Sequence, residues 1–244
     1  MMKFRFVAML DILGFKNLLK QKGIEAIHQL MRDLFRSARE GTSRDHTMTV
    51  NRVIYRNPSV RLNYFIFSDT ILVWKDYEES NGEEKEIEGK CDLFREFNHG
   101  ISMLLERALL KKIPLRGAIA FGRTIIQIDE EGQNHEIIGQ PIIDSYLVGE
   151  AQDWVGIAFH SSCLPFIEQK CDPTIKEYPI PYNKEKLKPL DNGKETNYSL
   201  EWGGNVKEVL NEFLENLRSE GVSEKVLNKY TNAIDYCKDH EVCL

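Results

Sequence analysis

Long hydrophobic runs are missing from this chain. No apolar stretch in its 244 residues approaches the roughly 18–20 needed to cross a bilayer, so no membrane partner is expected. Lys3 and Arg5 followed by Phe6–Leu10 superficially look like the start of a secretory signal. Asp11 ends that run after five residues, however, and no small-residue cleavage site follows. Cysteine is also scarce. Cys91, Cys163, Cys171, Cys237 and Cys243 are odd in number and none are spaced as CxxC. This speaks against a zinc site or a disulfide framework and predicts reduced thiols in a cytoplasmic protein. An excess of positive charge is absent too: 32 Lys and Arg stand against 38 Asp and Glu, a formal net charge of −6. The basic footprint of a nucleic-acid binder is therefore missing, and no nucleic-acid partner is expected. A phosphate-bearing small ligand is not excluded, because it needs only local positive charge.

What is present describes an ordinary globular protein, 42% hydrophobic and 29% charged, long enough to bury a sizeable core. Residues 3–11 read as a strand. Gly14 opens a helix that Gly23 ends, and a second helical pattern carries Ile27, Leu30, Met31, Leu34 and Phe35 on one face. Val50–Tyr55 reads as an edge strand. Residues 60–68 and 70–75 form a hairpin closing at Asp69, and the acidic stretch 76–90, with Asn81-Gly82 as a turn signal, reads as a solvated loop. A helix through Leu93, Phe97, Ile101, Leu104 and Ala108 stops at Pro114. Leu115–Ile128 predicts one or two strands broken near Gly122, with a turn at Glu130-Glu131-Gly132. A return strand reaches Gly139, a helix covers 141–152, and a strand runs from Val155 to Phe159. Strands interleaved with helices around one hairpin predict an α/β sandwich of the ferredoxin-like kind. Four of the eight prolines fall in 172–203, which reads as an irregular connector, and two amphipathic helices follow. The expected organisation is a domain over 1–171, a connector over 172–203 and a helical hairpin over 204–244.

Two carboxylates stand out. Asp11 ends the run Phe6-Val7-Ala8-Met9-Leu10, and Asp69 interrupts the run from Tyr64 to Trp74 with only Ser68 and Thr70 beside it. An ionised carboxylate amid so much apolar sequence is costly to bury unless paired or metal-bound. Two of them at strand ends suggest a shared divalent cation. Oxygen ligands favour Mg²⁺ or Mn²⁺, and Mg²⁺ commonly sits on one or two carboxylates plus substrate phosphates. The ordinary alternative for Asp11 is a helix cap or a structural charge.

Asp11-Ile12-Leu13-Gly14-Phe15 resembles the Asp-Ile-x-Gly-Phe signature of the class III nucleotidyl cyclases, the adenylate and guanylate cyclases. Ser68-Asp69 stands where that family has Gly-Asp in its hairpin. Leu115-Arg116-Gly117-Ala118-Ile119-Ala120-Phe121-Gly122 is similar to its Arg-x-Gly-Ile-His-x-Gly strand, and Ile138-Gly139 before a helix resembles its Gly-x-x-Val-Asn-x-Ala-x-Arg segment. The likeness spans roughly residues 3–165. It implies a class III cyclase fold in which Asp11, Asp69 and the backbone carbonyl of Ile12 hold two Mg²⁺ or Mn²⁺ ions on a nucleoside triphosphate. The amides around Leu13, Gly14 and Phe15 would cradle phosphate, with Lys16 as a further contact. It implies a homodimer, because family sites form between two cyclase domains and this chain carries one. The sequence also departs from the family. Ile143 and Leu147 fall at the positions of its catalytic Asn and Arg, and Phe65 and Glu136 at its base-reading positions. Phe65 and Glu136 do not form an obvious adenine or guanine reader, so the resemblance turns toward the bacterial antiphage cyclases that act on CTP or UTP. The competing reading is an inactive cyclase-like nucleotide-binding or assembly module. A palm-type polymerase relative is disfavoured by the absence of a Gly-Gly-Asp-Glu-Phe hairpin.

Overall fold

The computed structural model describes residues 2–42, 46–50, 53–57, 62–76, 83–128, 135–187, 195–202 and 206–239. In chain order these form β1 (Met2–Ile12), α1 (Phe15–Lys22), α2 (Ile24–Thr42), β2 (His46–Val50), β3 (Val53–Asn57), β4 (Asn63–Phe67), β5 (Thr70–Asp76) and α3 (Glu83–Leu110). There follow β6 (Leu115–Ile128), β7 (His135–Gly139), α4 (Gln140–Ala151), β8 (Gly156–His160), α5 (Leu164–Glu168), β9 (Ile175–Glu177), α6 (Lys184–Leu187), β10 (Glu195–Leu200), α7 (Val206–Ser219) and α8 (Glu224–Asp239). The turns expected at Asn81-Gly82 and Glu130-Glu131-Gly132 lie outside the described residues, as does Cys243.

One eight-stranded sheet organises the molecule, in the order β4-β5-β1-β6-β8-β10-β9, with β7 paired to the distal half of β6. Pairing is antiparallel except between β6 and β8. The central strand β1 alternates in the way a two-faced strand must. Phe6, Ala8, Leu10 and Ile12 enter the main core with residues of α2 and α3, where the Phe6 ring lies 5.0 Å from that of Phe94. Val7 and Met9 belong to the opposite face, where Leu72, Trp74 and Phe65 form a smaller cluster. Asp11 continues that second alternation. The α/β sandwich with a C-terminal helical extension is thus the observed architecture.

Several local expectations are corrected. The segment around Val50 is not an edge of the main sheet; among the described residues β2 and β3 pair only with each other. The loop expected over 76–90 is helical from Glu83 onward. β6 is one strand without a break at Gly122, because β1 pairs it as far as Ile125 and β7 takes over from Thr124. Residues 172–203 are not irregular throughout. They contain β9, α6 and β10, and β10 extends the sheet beside β8. β10 escapes a hydrophobicity reading because two of its three buried members, Thr196 and Ser199, are polar and locally satisfied: the Thr196 hydroxyl donates to the Phe159 carbonyl at 2.7 Å. Finally, the thiols are not all reduced. Cys91 and Cys171, 80 residues apart, form a disulfide joining α3 to the segment after α5, while Cys163 and Cys237 are buried thiols.

α4 lies on the face of β1 and β6 that carries Asp11. Gly149 governs its approach to β6, and Gly117 the spacing of β6 from β1. A Cβ on Gly149 would stand 3.2 Å from the Gly117 Cα, and one on Gly117 would stand 2.2 Å from the Met9 carbonyl oxygen. Beyond α4, rings of Trp154, Trp202, Tyr178 and Tyr236 pack 4.9–6.1 Å apart and bind α8 to the sheet.

Candidate active site

The two sequence-distant aspartates meet. Asp11 pairs in register with Thr70, the residue after Asp69, and the Ile12 amide donates to the Asp69 carbonyl at 2.9 Å. β5 returns from a two-residue turn in which Ser68 takes a left-handed conformation with φ of 57°, and this places Asp69 beside the end of β1. After Ile12 the chain turns at Gly14, whose φ of 75° lies in the left-handed region that suits glycine. α1 starts directly behind it. The Gly14 carbonyl accepts from the amides of Asn17 and Leu18 at 2.9 and 3.0 Å. The first amides of a helix have no intrahelical acceptor, and here Phe15 and Lys16 supply them. Lys16 is exposed and Ile12 is buried.

Arg116 is the residue whose role the sequence left open. It stands opposite Asp11 in the β1–β6 register. The side chain is 4% exposed, and its Nη2 donates to Asp11 Oδ2 at 3.0 Å and to a Glu150 carboxylate oxygen. Nη1 donates to the Gln152 carbonyl at 2.9 Å. Its Nε is buried without an acceptor among the described residues. Lys186 reaches Glu150 from the far side at 3.3 Å. Burial pushes the Asp11 carboxyl above its ordinary range; the Arg116 charge opposes this, while the charges of Glu150 and Asp69 add to it. Asp11 and Asp69 therefore repel across the site. Among the described residues no cluster of three or more His, Cys, Asp or Glu side chains is placed to hold a metal. Two carboxylates and a backbone carbonyl form an all-oxygen donor set of the kind that hard divalent ions complete with phosphate and water.

Two cavities lie near Asp11, both lined by Thr70. A small one, about 30 Å³, is lined by Asp11, Thr70, Arg116, Tyr146 and Glu150. A larger apolar one of about 290 Å³ is lined by Met9, Phe65, Phe67, Leu72, Ile137 and Tyr146. Phe65 lines this pocket, but Glu136 is not among its lining residues; the neighbouring Ile137 is. Tyr146, half-exposed on α4, borders both cavities. Ile143 is exposed, and Leu147 packs against the core. Asp144 points inward, accepting from Gln140 Nε2 at 2.9 Å and lying 3.8 Å from His160 Nε2. Tyr146 and Glu150 went unassigned in the sequence; only the i, i+4 spacing that puts them on one side of α4 could have linked them.

No family model matches the sequence and no curated protein matches it. Solved structures do match in fold. The adenylyl cyclase CyaB from P. aeruginosa is similar over 82% of this chain and 94% of that one, with a TM-score of 0.51 at 13% identity. The guanylyl cyclase Cya2 matches over 72% of this chain and 82% of that one, at a TM-score of 0.43 and 10% identity. The dimeric guanylyl cyclase domain of the RhoGC fusion protein from Blastocladiella emersonii matches over 68% and 84%, at 0.44 and 10%. The likeness to CyaB shows the fold: this chain has the architecture of a class III nucleotidyl cyclase.

Proposed function

We propose that this protein is a metal-dependent nucleotidyl cyclase. It would convert a nucleoside triphosphate into a 3′,5′-cyclic mononucleotide, the ribose 3′-oxygen forming a bond to the α-phosphorus as the bond to pyrophosphate breaks. The observation that carries this reading is the meeting of Asp11 and Asp69 at adjoining strand ends, beside the glycine turn that opens α1. The mutual repulsion of the two carboxylates and their all-oxygen surroundings fit Mg²⁺ or Mn²⁺, held by Asp11, Asp69 and the Ile12 carbonyl. Such ions supply Lewis-acid activation of the hydroxyl and charge neutralisation on the phosphates. The Leu13 amide is taken by the Pro114 carbonyl at 2.9 Å, which leaves the amides of Gly14 and Phe15, with Lys16, to receive the phosphate chain. Arg116, held between Asp11 and Glu150, adds a fixed positive charge at that end.

The apolar cavity beside Phe65 would take the base, and Tyr146 stands between it and the aspartates, at the place a ribose would occupy. CTP or UTP is the preferred substrate on this reading, because the cavity is lined by apolar side chains and Phe65, without an evident purine reader. The biological setting would then be antiphage signalling by a cyclic pyrimidine nucleotide, in a cytoplasmic homodimer. A second reading rests on Ile143 and Leu147: without the family's Asn and Arg, the site would bind nucleotide and not turn over. Incubating the pure protein with Mn²⁺ and each of the four ribonucleoside triphosphates, then analysing products by mass spectrometry, separates the two. A cyclic mononucleotide supports the enzyme, and bound but unchanged nucleotide supports the module.

A further inference from the structure

The C-terminal helices contribute a cation to the same neighbourhood. Lys229, on α8, is half-buried, yet among the described residues it donates no hydrogen bond and joins no ion pair. Arg116 and Lys186 are engaged with Asp11 and Glu150; Lys229 is not. It lines a groove of about 370 Å³ between α1 and the α7–α8 hairpin, whose opposite wall includes Leu13, Gly14, Asn17 and Pro114. The groove thus joins Lys229 to the turn that follows the Asp11 strand. Burial pushes the Lys229 ammonium below its ordinary range, with the Arg116 charge acting the same way; Asp153 opposes, Lys186 adds to the depression, and Asp11 opposes. Holding a desolvated ammonium near two other cations, with Asp153 and Asp11 opposing them only at a distance and no ion pair formed among the described residues, is costly in the empty protein. An anion between these groups would remove that cost.

We propose that Lys229 binds the polyphosphate of the nucleotide, supplied in cis by the C-terminal hairpin, so that α7 and α8 are part of the site and not a cap on the domain. This rests on the nucleotide-site reading above. The chemistry it demands is a multiply charged phosphate chain, long enough to reach from the Asp11–Arg116 end toward the groove.

The test uses the full chain and inorganic triphosphate with Mg²⁺, read by calorimetry, so that turnover is not needed. Lys229→Ala should weaken binding about tenfold or more. Lys229→Gln keeps most of the side chain and a polar end without the charge and should weaken it similarly, which guards against a packing defect in the alanine variant. Lys229→Arg should retain most of the affinity. Lys225→Ala, at an exposed lysine one turn earlier on α8, should leave it unchanged. Wild-type affinity in both neutral variants would overturn the role of Lys229. Failure of the unmodified protein to bind triphosphate would instead overturn the nucleotide-site reading itself.

Discussion

At the residue scale, the site is a balance of charges around Asp11. Asp69→Asn keeps the size of the side chain and removes one of two repelling carboxylates. Cyclic product, followed by mass spectrometry, should fall by at least about 100-fold, as expected when transition-state charge stabilisation is lost. The melting temperature without metal should not drop. Wild-type turnover in this variant would confine the likeness to the fold.

A second carboxylate, away from the site, governs acid stability. Asp76 ends β5 opposite Arg5, which is buried and donates to it at 2.6 Å, while Lys3 donates at 3.1 Å. Burial alone would raise the Asp76 pKa, but the hydrogen bonds and charges of Arg5 and Lys3 outweigh it and hold it below the ordinary 3.8. A depressed folded-state value contributes stability that is present above the unfolded pKa and lost as pH falls through the folded one. Urea titrations should therefore show wild type losing more stability than Asp76→Asn as pH falls through and below 3.8, with the difference between them shrinking. A difference independent of pH would mean that Asp76 acts through packing.

At the element scale, the placement of α4 decides whether Tyr146 and Glu150 reach Asp11 and Arg116. Helix and sheet approach through Gly149 and Gly117, where no side chain fits without displacement. Gly149→Val should lift α4 from β6. The expected cost is about 1–3 kcal/mol from overpacking, measured by chemical denaturation, with loss of turnover beyond that stability change because Glu150 and Tyr146 move together. A variant as stable and active as wild type would show that α4 has room to shift. The same scale explains why the polar strand β10 belongs in the sheet: its neighbour β8 is wholly buried and offers an open edge that must be paired.

At the scale of the whole molecule, the second sheet face is only partly covered. Phe67 is 72%, Ile143 53% and Tyr146 50% exposed, on β4 and α4 around the apolar cavity. Apolar exposure of this kind marks an interaction surface, and a two-fold pairing of like faces is the simplest closed assembly that would cover it. Light scattering should find a dimer at micromolar concentration in the presence of Mn²⁺ and nucleotide. Phe67→Asp should give monomer and abolish turnover while leaving the far-UV spectrum unchanged. A wild type that stays monomeric under those conditions would argue for an inactive or heteromeric protein.

Features that depend on neighbours along the chain follow from residue order alone. The alternation of Phe6, Ala8, Leu10 and Ile12 against Val7, Met9 and Asp11 gave β1 two faces. Gly14 and Gly23 bounded α1, Ser68 and Asp69 closed a hairpin, and the apolar periodicity of α7 and α8 was plain. These features obey local rules of period and turn chemistry, so they could be read without a structure. The remaining features emerge from packing between distant segments. The pairing of Arg116 with Asp11 spans 105 residues and follows from the β1–β6 register. The Cys91–Cys171 disulfide, the polar strand β10 and the arrival of Lys229 beside the turn at Gly14 have no local signature. Each depends on which elements the packed sheet brings together, and composition and periodicity carry no information about contacts between segments so far apart in the chain.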